Sequence, residues 1–146
     1  MALEIEPDNA FTFSRKGDVF RLLKQYDRAL ECLNKSLEIE PDDAFALGRR
    51  GEVFRMLRKH NRALTGFNKS LEIEPNAVWT LRKRAYSYYA LKQYDDAING
   101  LDKVLEIEPG NARVLKLREE VRGLLKKEDN AVNDFNKSGR LIENVN

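Results

Sequence analysis

The pentapeptide Leu-Glu-Ile-Glu-Pro occurs four times in this chain of 146 residues, starting at Leu3, Leu37, Leu71 and Leu105. Successive occurrences are always 34 residues apart. A fixed period between about 20 and 50 residues is typical of stacked repeat proteins, in which each unit buries its apolar face against its neighbours. The period therefore indicates an elongated array rather than one central core.

The period divides the chain into four frames with a short remnant before them. Residues 1–9 would end a preceding repeat, and the first three repeats would cover residues 10–43, 44–77 and 78–111. Residues 112–146 would be a degenerate fourth repeat, with a capping helix over residues 112–127 and a weaker second helix over about 129–142. Polar or charged residues replace several of its repeat positions, as the outer face of a terminal repeat requires.

Six positions carry the same residue types in each of the first three frames: a large residue, a small one, an aromatic, an alanine, another large residue and a proline. They are Phe13, Gly17, Phe20, Ala29, Leu33 and Pro41, then Leu47, Gly51, Phe54, Ala63, Phe67 and Pro75, then Leu81, Ala85, Tyr88, Ala97, Leu101 and Pro109. This pattern resembles the tetratricopeptide repeat over nearly the whole chain. The resemblance implies an all-α, right-handed α-solenoid of stacked antiparallel helix pairs.

Local signals agree with helix pairs. Glycines inside a helix cost about 1 kcal/mol relative to alanine, and we expect them to allow the paired helix to approach closely. The prolines would end each second helix, because the residue before proline resists the helical conformation. Each second helix would begin after an N-cap, for which the candidates are Asp27, Asn61 and Asp95.

Composition restricts the class of protein. No stretch of 18 apolar residues is present, so the sequence predicts no membrane span, and no basic segment followed by an apolar one suggests a secretory signal. Cys32 is the single cysteine, which excludes an intrachain disulfide and favours a reducing compartment. We therefore expect a cytoplasmic protein. A net charge of +2 makes nucleic acid an unlikely partner.

No residue pattern indicates catalysis, a cofactor or a metal. His60, the only histidine, stands where the neighbouring frames have Tyr26 and Tyr94, so it reads as a packed aromatic substitute. Cys32 has no adjacent base to activate it. The recurring acids that begin with Glu38 would form local ion pairs with lysines three residues earlier rather than bind metal. The serines of one repeat position, Ser36, Ser70 and Ser138, read as packing residues. The sequence thus predicts no enzyme.

The family resemblance implies that the first helices line a concave face, with repeat positions 2, 5, 6, 9 and 12 directed into it. The candidate partner-binding residues at these positions are Phe11, Arg15, Asp18, Arg21, Phe45, Arg49, Glu52, Arg55, Trp79, Arg82, Lys83, Tyr86 and Tyr89. With Arg113, Lys116 and Glu120 of the fourth frame, this face carries eight cations and three acids, a net charge of +5. Aromatic anchors beside arginine are frequent in binding hot spots. The alternative is that the aromatic residues only pack between neighbouring first helices.

Three functions remain open. The first is a protein-interaction module that binds an acidic partner segment on the concave face, because arginine pairs well with carboxylates. The second is a self-assembling scaffold, joined end to end through the uncapped first repeat or by the acidic column against the basic groove. The third is RNA binding by aromatic stacking, disfavoured because RNA-reading relatives usually have 35-residue repeats. Some family members clamp a chaperone C-terminus, and the matching positions here are Ser14, Asp18, Arg49, Trp79 and Lys83. Only Lys83 keeps the clamp charge and Asp18 would repel a carboxylate, so the sequence does not support this function.

Overall fold

The computed structural model describes the backbone of residues 9–145 and the side chains of residues 9–139. Seven α-helices and no strand occupy this range: α1 (Ala10–Leu22), α2 (Tyr26–Ile39), α3 (Ala44–Met56), α4 (His60–Ile73), α5 (Val78–Ala90), α6 (Tyr94–Ile107) and α7 (Ala112–Val145). The predicted all-α solenoid of helix pairs is confirmed. The remnant proposed for residues 1–9 lies, except for Asn9, outside the described residues.

The glycines of the first helices lie where the two helices of a pair approach most closely. A Cβ atom built on Gly17 would stand 2.6 Å from Leu33 Cγ and 3.3 Å from the Ala29 carbonyl oxygen. On Gly51 it would stand 2.9 Å from the Phe67 ring. These distances are shorter than ordinary van der Waals contact, so the glycines permit the close approach that the sequence predicted.

The turn inside each pair is built around a residue in the left-handed conformation. Lys24, Arg58 and Lys92 have φ angles of 59°, 60° and 59°. At the end of α1, the N–H of Gln25 donates to the carbonyl oxygen of Phe20 (2.8 Å), and that of Lys24 donates to Arg21 (2.9 Å). This is the Schellman arrangement, which usually places glycine at the left-handed position. Here lysine and arginine adopt it because helix packing holds the turn closed.

The predicted N-caps of the second helices are wrong. Asp27, Asn61 and Asp95 lie one residue inside their helices, and the caps are Gln25, Lys59 and Gln93, none with a side-chain hydrogen bond to the helix. The reason is the tight turn, whose last residue also serves as the cap of the next helix. Aspartate in a first turn still interacts favourably with the helix dipole. Side-chain caps occur instead on α1 and α3, where Asn9 accepts from the Thr12 N–H at 2.9 Å and Asp43 accepts from the Phe45 N–H at 3.0 Å.

The ends of the second helices agree with the sequence. They finish at Ile39, Ile73 and Ile107, two residues before each proline. The buried hydroxyl of Ser36 donates to the carbonyl oxygen of Ala10 (2.7 Å), and Ser70 makes the equivalent bond to Ala44 (2.8 Å). Ser138 is exposed on α7, so the packing role predicted for it is wrong.

The stack curves with its first helices on the inside. Each second helix packs against its own first helix and against the next first helix, while α1 also contacts α3, and α3 contacts α5. First helices are therefore closer together than second helices, which gives the array a concave inner face. Leu33, Leu37 and Val53 belong to one core cluster, and Leu81, Leu101 and Val121 to the next along the stack.

The last element is one helix of 34 residues rather than the two predicted over residues 112–127 and 129–142. Glu119 stands at the repeat position of Gly17, Gly51 and Ala85, where the closely packed partner helix leaves room for at most a methyl group, so its long side chain opposes a tight hairpin. Lys126 therefore continues the helix instead of adopting the left-handed turn of Lys24. Val114 and Val121 are buried, whereas residues 126–138 of α7 are exposed. No helix in the described range is long and apolar enough to cross a membrane.

Candidate functional site

Aromatic rings and guanidinium groups alternate along the first helices. The Arg15 guanidinium carbon lies 4.8 Å from the centroid of the Phe11 ring and 3.6 Å from that of Phe45. Arg49 lies 4.4 Å from the Phe45 centroid and 3.7 Å from that of Trp79. We call these five residues the aromatic–arginine ladder. It runs from α1 through α3 to α5.

The ladder follows from two periods acting together. Aromatic and arginine are four residues apart in α1 and α3, so they share one helix face, and the 34-residue repeat places these faces side by side. A stacked cation–π contact contributes roughly 0.5–2 kcal/mol. Phe11 at one end is 64% exposed, whereas Phe45 and Trp79 are partly buried. The predicted aromatic row therefore both packs between helices and remains accessible.

Two carboxylates tie neighbouring first helices together. Asp18 accepts a hydrogen bond from Arg21 Nε at 2.8 Å and lies 3.3 Å from Arg49 Nε, close enough for an ion pair but without hydrogen-bond geometry. Asp18 and Glu52 each have one partner three residues later on the same helix and a second partner on the next first helix. The acids at this repeat position thus act as internal counter-ions.

Glu52 is the more buried of the two, with only 2% of its surface exposed. It accepts two hydrogen bonds from Arg55, at 2.8 Å from Nε and 2.7 Å from Nη2, and pairs with Lys83 Nζ at 3.6 Å. The hydrogen bond to Glu52 raises the pKa of Arg55. Burial lowers the pKa of Lys83, an effect that Glu52 opposes.

The pattern changes at α5, where tyrosine replaces both the acid and the arginine. Tyr86 lies 5.3 Å from the Arg55 guanidinium carbon. The hydroxyl of Tyr89 donates to Glu120 of α7 at 3.0 Å, and this bond raises the pKa of Tyr89. Arg82, half-buried on the same helix, forms no hydrogen bond or ion pair with any side chain described by the structure.

The available positive charge is therefore smaller and more localised than the sequence suggested. Arg21, Arg49, Arg55 and Lys83 are neutralised in part by internal acids. The cations without a carboxylate partner in the described range are Arg15, Arg82, Arg113 and Lys116, of which Arg113 and Lys116 are exposed on α7. The spacing of Asp18 to Arg21 and Glu52 to Arg55 already indicated these pairs. A net charge summed over the concave face does not take these internal ion pairs into account.

The positions of the chaperone clamp are closed in the structure. Ser14 is buried, and its hydroxyl donates to the carbonyl oxygen of Phe11 at 2.8 Å. Asp18 and Lys83 are held in the ion pairs already described. Ser14 and Asp18 therefore offer no donor to a ligand carboxylate, and the charge of Lys83 is already paired with Glu52.

The recurring acids on the second helices do not pair as predicted. Lys35 Nζ lies 3.3 Å from Glu31, four residues earlier, rather than beside Glu38. His60 is half-buried at the start of α4, and burial, with nearby Arg55 and Arg58, lowers its pKa. In residues 9–139, no group of three potential metal ligands comes together.

Comparison with known proteins agrees with this geometry. Two family models described as tetratricopeptide repeat match residues 10–43 and 54–121. The chain belongs to the tetratricopeptide-repeat family. A search of curated protein sequences finds no match.

Similar solved structures have the same fold at low sequence identity. The first repeat domain of Spaghetti (RPAP3), bound to the HSP90 peptide SRMEEVD, has a TM-score of 0.78 at 20% identity, covering 86% of this chain and 99% of that one. The TPR2B domain of yeast Sti1 in a pHsp70 complex has a TM-score of 0.72 at 21% identity, covering 79% and 97%. YrrB, a repeat protein with an unusual peptide-binding site, has a TM-score of 0.71 at 23% identity, covering 78% and 59%.

Proposed function

We propose that this chain is a protein-interaction module whose concave face binds an acidic segment of a partner protein. The observation that carries the proposal is the half-buried Arg82, which has no carboxylate partner among the described side chains and lies on the same helix as Trp79 of the aromatic–arginine ladder. An arginine held by packing on a helix loses little entropy when it pairs with a carboxylate. Exposed aromatic surface next to it provides apolar contact of the kind found in binding hot spots.

The chemistry favours an internal acidic segment over a free C-terminus. Two similar structures are complexes with an HSP90 peptide and with pHsp70, so the fold can present such a face to peptides. In this chain the corresponding clamp positions are occupied by Ser14, Asp18 and Lys83, which are engaged internally. Among the described residues, three of the four cations without a carboxylate partner lie on α5 and α7, namely Arg82, Arg113 and Lys116, and the fourth, Arg15, stacks on the rings of the ladder. Recognition would then depend on side-chain carboxylates rather than on the terminal one.

Trp79, the only tryptophan, makes a direct assay available, because its fluorescence reports on the ladder. Peptides of equal length and apolar content would be titrated in three forms: acidic, acidic with an amidated C-terminus, and with each acid replaced by its amide. We expect amidation to change Kd less than about twofold and loss of the acids to weaken binding about tenfold, equivalent to ~1.4 kcal/mol. Peptides that bind only with a free C-terminus would refute the internal-segment proposal.

The matched variants are Arg82→Gln in the site and Lys69→Gln outside it. Lys69 is an exposed cation on α4, so its replacement changes the net charge equally without touching the concave face. Arg82→Gln should weaken the acidic peptide about tenfold, as expected for one anchoring contact, and Lys69→Gln should have little effect. Equal losses in both variants would indicate general charge attraction rather than a site.

A further inference from the structure

The first helix leaves open a face that later first helices bury. At repeat position 10, Val19 is 53% exposed, whereas Val53, Ser87 and Val121 at the same position are 0% exposed. Leu23 at the end of α1 is 60% exposed as well, whereas Leu57, Leu91 and Leu125 at its repeat position are partly buried. In α3, α5 and α7 the preceding second helix provides the cover.

The second half of α7 exposes an apolar stripe that nothing in the described range covers. Val132 is 53% and Phe135 is 77% exposed, and the preceding Ala131 is exposed as well. These residues stand three whole periods after Leu30, Leu33 and Ala29 of α2. There, Leu33 belongs to the core cluster that includes Val53 of α3, and Leu30 packs against it. In α2 these positions contact α1 of the same repeat, where Leu33 lies against Gly17, as well as α3 of the next. The stripe thus corresponds to the apolar face by which a second helix packs on first helices.

Polar residues on α7 and α1 also occupy the repeat positions that form hydrogen bonds between neighbouring repeats. Asn34 accepts a hydrogen bond from Arg50 of the next repeat at 3.0 Å, and Asn68 accepts one from Arg84 at 3.0 Å. Asn136 occupies the same repeat position on α7. On α1, the basic residue Lys16 stands where Arg50 stands on α3. The two exposed faces are therefore the two sides of a junction that the chain already makes internally.

We propose that residues 128–139 of α7 in one copy cover α1 of a second copy, as α2 covers α3. The contact joins different faces of the two molecules, so it is head-to-tail, and a head-to-tail contact that does not close extends into a chain of copies. A junction of two short helices is small beside the ~1,600 Å² of a standard interface. We therefore expect weak association that grows with protein concentration.

The test uses sedimentation velocity over a concentration series. Val19→Asp and Phe135→Asp each place a charge in one side of the junction, at an exposed site where folding should survive, and far-UV circular dichroism would check this. Each variant alone should weaken self-association at least tenfold. The control Ile39→Asp alters an apolar residue that is 55% exposed and outside both faces, and it should associate like the original chain.

Mixing the two defective variants is the decisive measurement. Val19→Asp keeps an intact α7 and Phe135→Asp keeps an intact α1, so the mixture should form a one-to-one dimer that cannot grow. Failure to form it overturns the proposal. Loss with Val19→Asp alone would assign the α1 face to another segment of a second copy, such as its residues 3–7. Loss with Phe135→Asp alone would indicate pairing between α7 helices.

A chain that stays monomeric at every concentration would also overturn it. Peptide binding monitored at Trp79 should be equal in both variants, because neither residue belongs to the aromatic–arginine ladder. Failure of the junction and failure of the concave site are therefore distinguishable.

Discussion

Replacing Glu52 with glutamine removes the charge of the most buried carboxylate on the concave face while keeping its shape. Arg55 and Lys83 then lose their counter-charge. Breaking a buried ion pair costs about 3–5 kcal/mol when the remaining charge stays buried. The side chains of Arg55 and Lys83 are 21% and 20% exposed, so water recovers part of this. We expect the free energy of unfolding to fall by about 2 kcal/mol.

The same substitution should strengthen peptide binding. Arg55 and Lys83 would no longer be neutralised internally, and both lie beside Tyr86 on the concave face. We expect an acidic peptide to bind Glu52→Gln about three- to tenfold more tightly, which corresponds to ~0.7–1.4 kcal/mol. Lower stability together with higher affinity is the signature of a carboxylate that competes with the ligand.

Urea unfolding followed by circular dichroism gives the stability, and Trp79 fluorescence gives the affinity. The matched control is Glu72→Gln, because Glu72 is exposed on α4 and forms no ion pair within the described side chains. The control should change stability by less than about 0.5 kcal/mol. Unchanged stability in Glu52→Gln, or weaker peptide binding, would refute the reasoning.

Three further outcomes follow from the helix pairs. Gly51→Ala should destabilise the protein by about 1 kcal/mol, because its Cβ would meet the Phe67 ring at 2.9 Å. Gly100→Ala should stabilise it by about the same amount, because its Cβ would have no neighbour closer than 3.7 Å. If urea unfolding showed both variants to be more stable, or both less stable, than the original chain, this prediction would be wrong. Lys92→Gly should raise the free energy of unfolding by roughly 0.5–1 kcal/mol, since glycine adopts a φ of 59° without strain. The lowered pKa of His60 means that the unfolded chain binds more protons, so stability should decline as the pH falls below about 6.5. Substituting the tyrosine of the neighbouring repeats should flatten that decline.

Much of the fold could be predicted because the repeat encodes it locally and several times. Gly17 and Gly51 mark the close approach of the helices, and the prolines mark where second helices end. The starts of the second helices could not be read the same way. Their turns place lysine or arginine in a left-handed conformation, where glycine is usually found, so the sequence does not show where the turn lies. The sequence therefore predicts Asp27 as the N-cap, although the helix begins one residue earlier.

The continuity of α7 was missed for a related reason. Residues such as Ala131 and Phe135 keep the helix-B pattern of the repeat, so the sequence suggested a second hairpin. The pattern predicts which face of the helix is apolar, but it does not predict whether a turn can form between two paired helices. Glu119 bears on that question, because it stands where each closed pair has only glycine or alanine.

The positions of the candidate site follow from the repeat, but the state of its charges does not. The sequence predicts Arg49 and Arg55 to be available cations, whereas in the structure they are paired with Asp18 and Glu52. A sum over residues ignores which charges face one another across neighbouring helices. Arg82 stands out only in three dimensions, through the lack of a partner among the described side chains.

The way each helix packs mainly on its neighbours in the chain has a consequence for how the protein opens. Contacts are close in sequence, so folding should be fast for a chain of this size, and unfolding can begin at either end without the other end responding. Amide hydrogens in α1 should therefore exchange sooner than those in α4. A ligand that touches α1, α3 and α5 together would join these units, and exchange should then slow in all three at once.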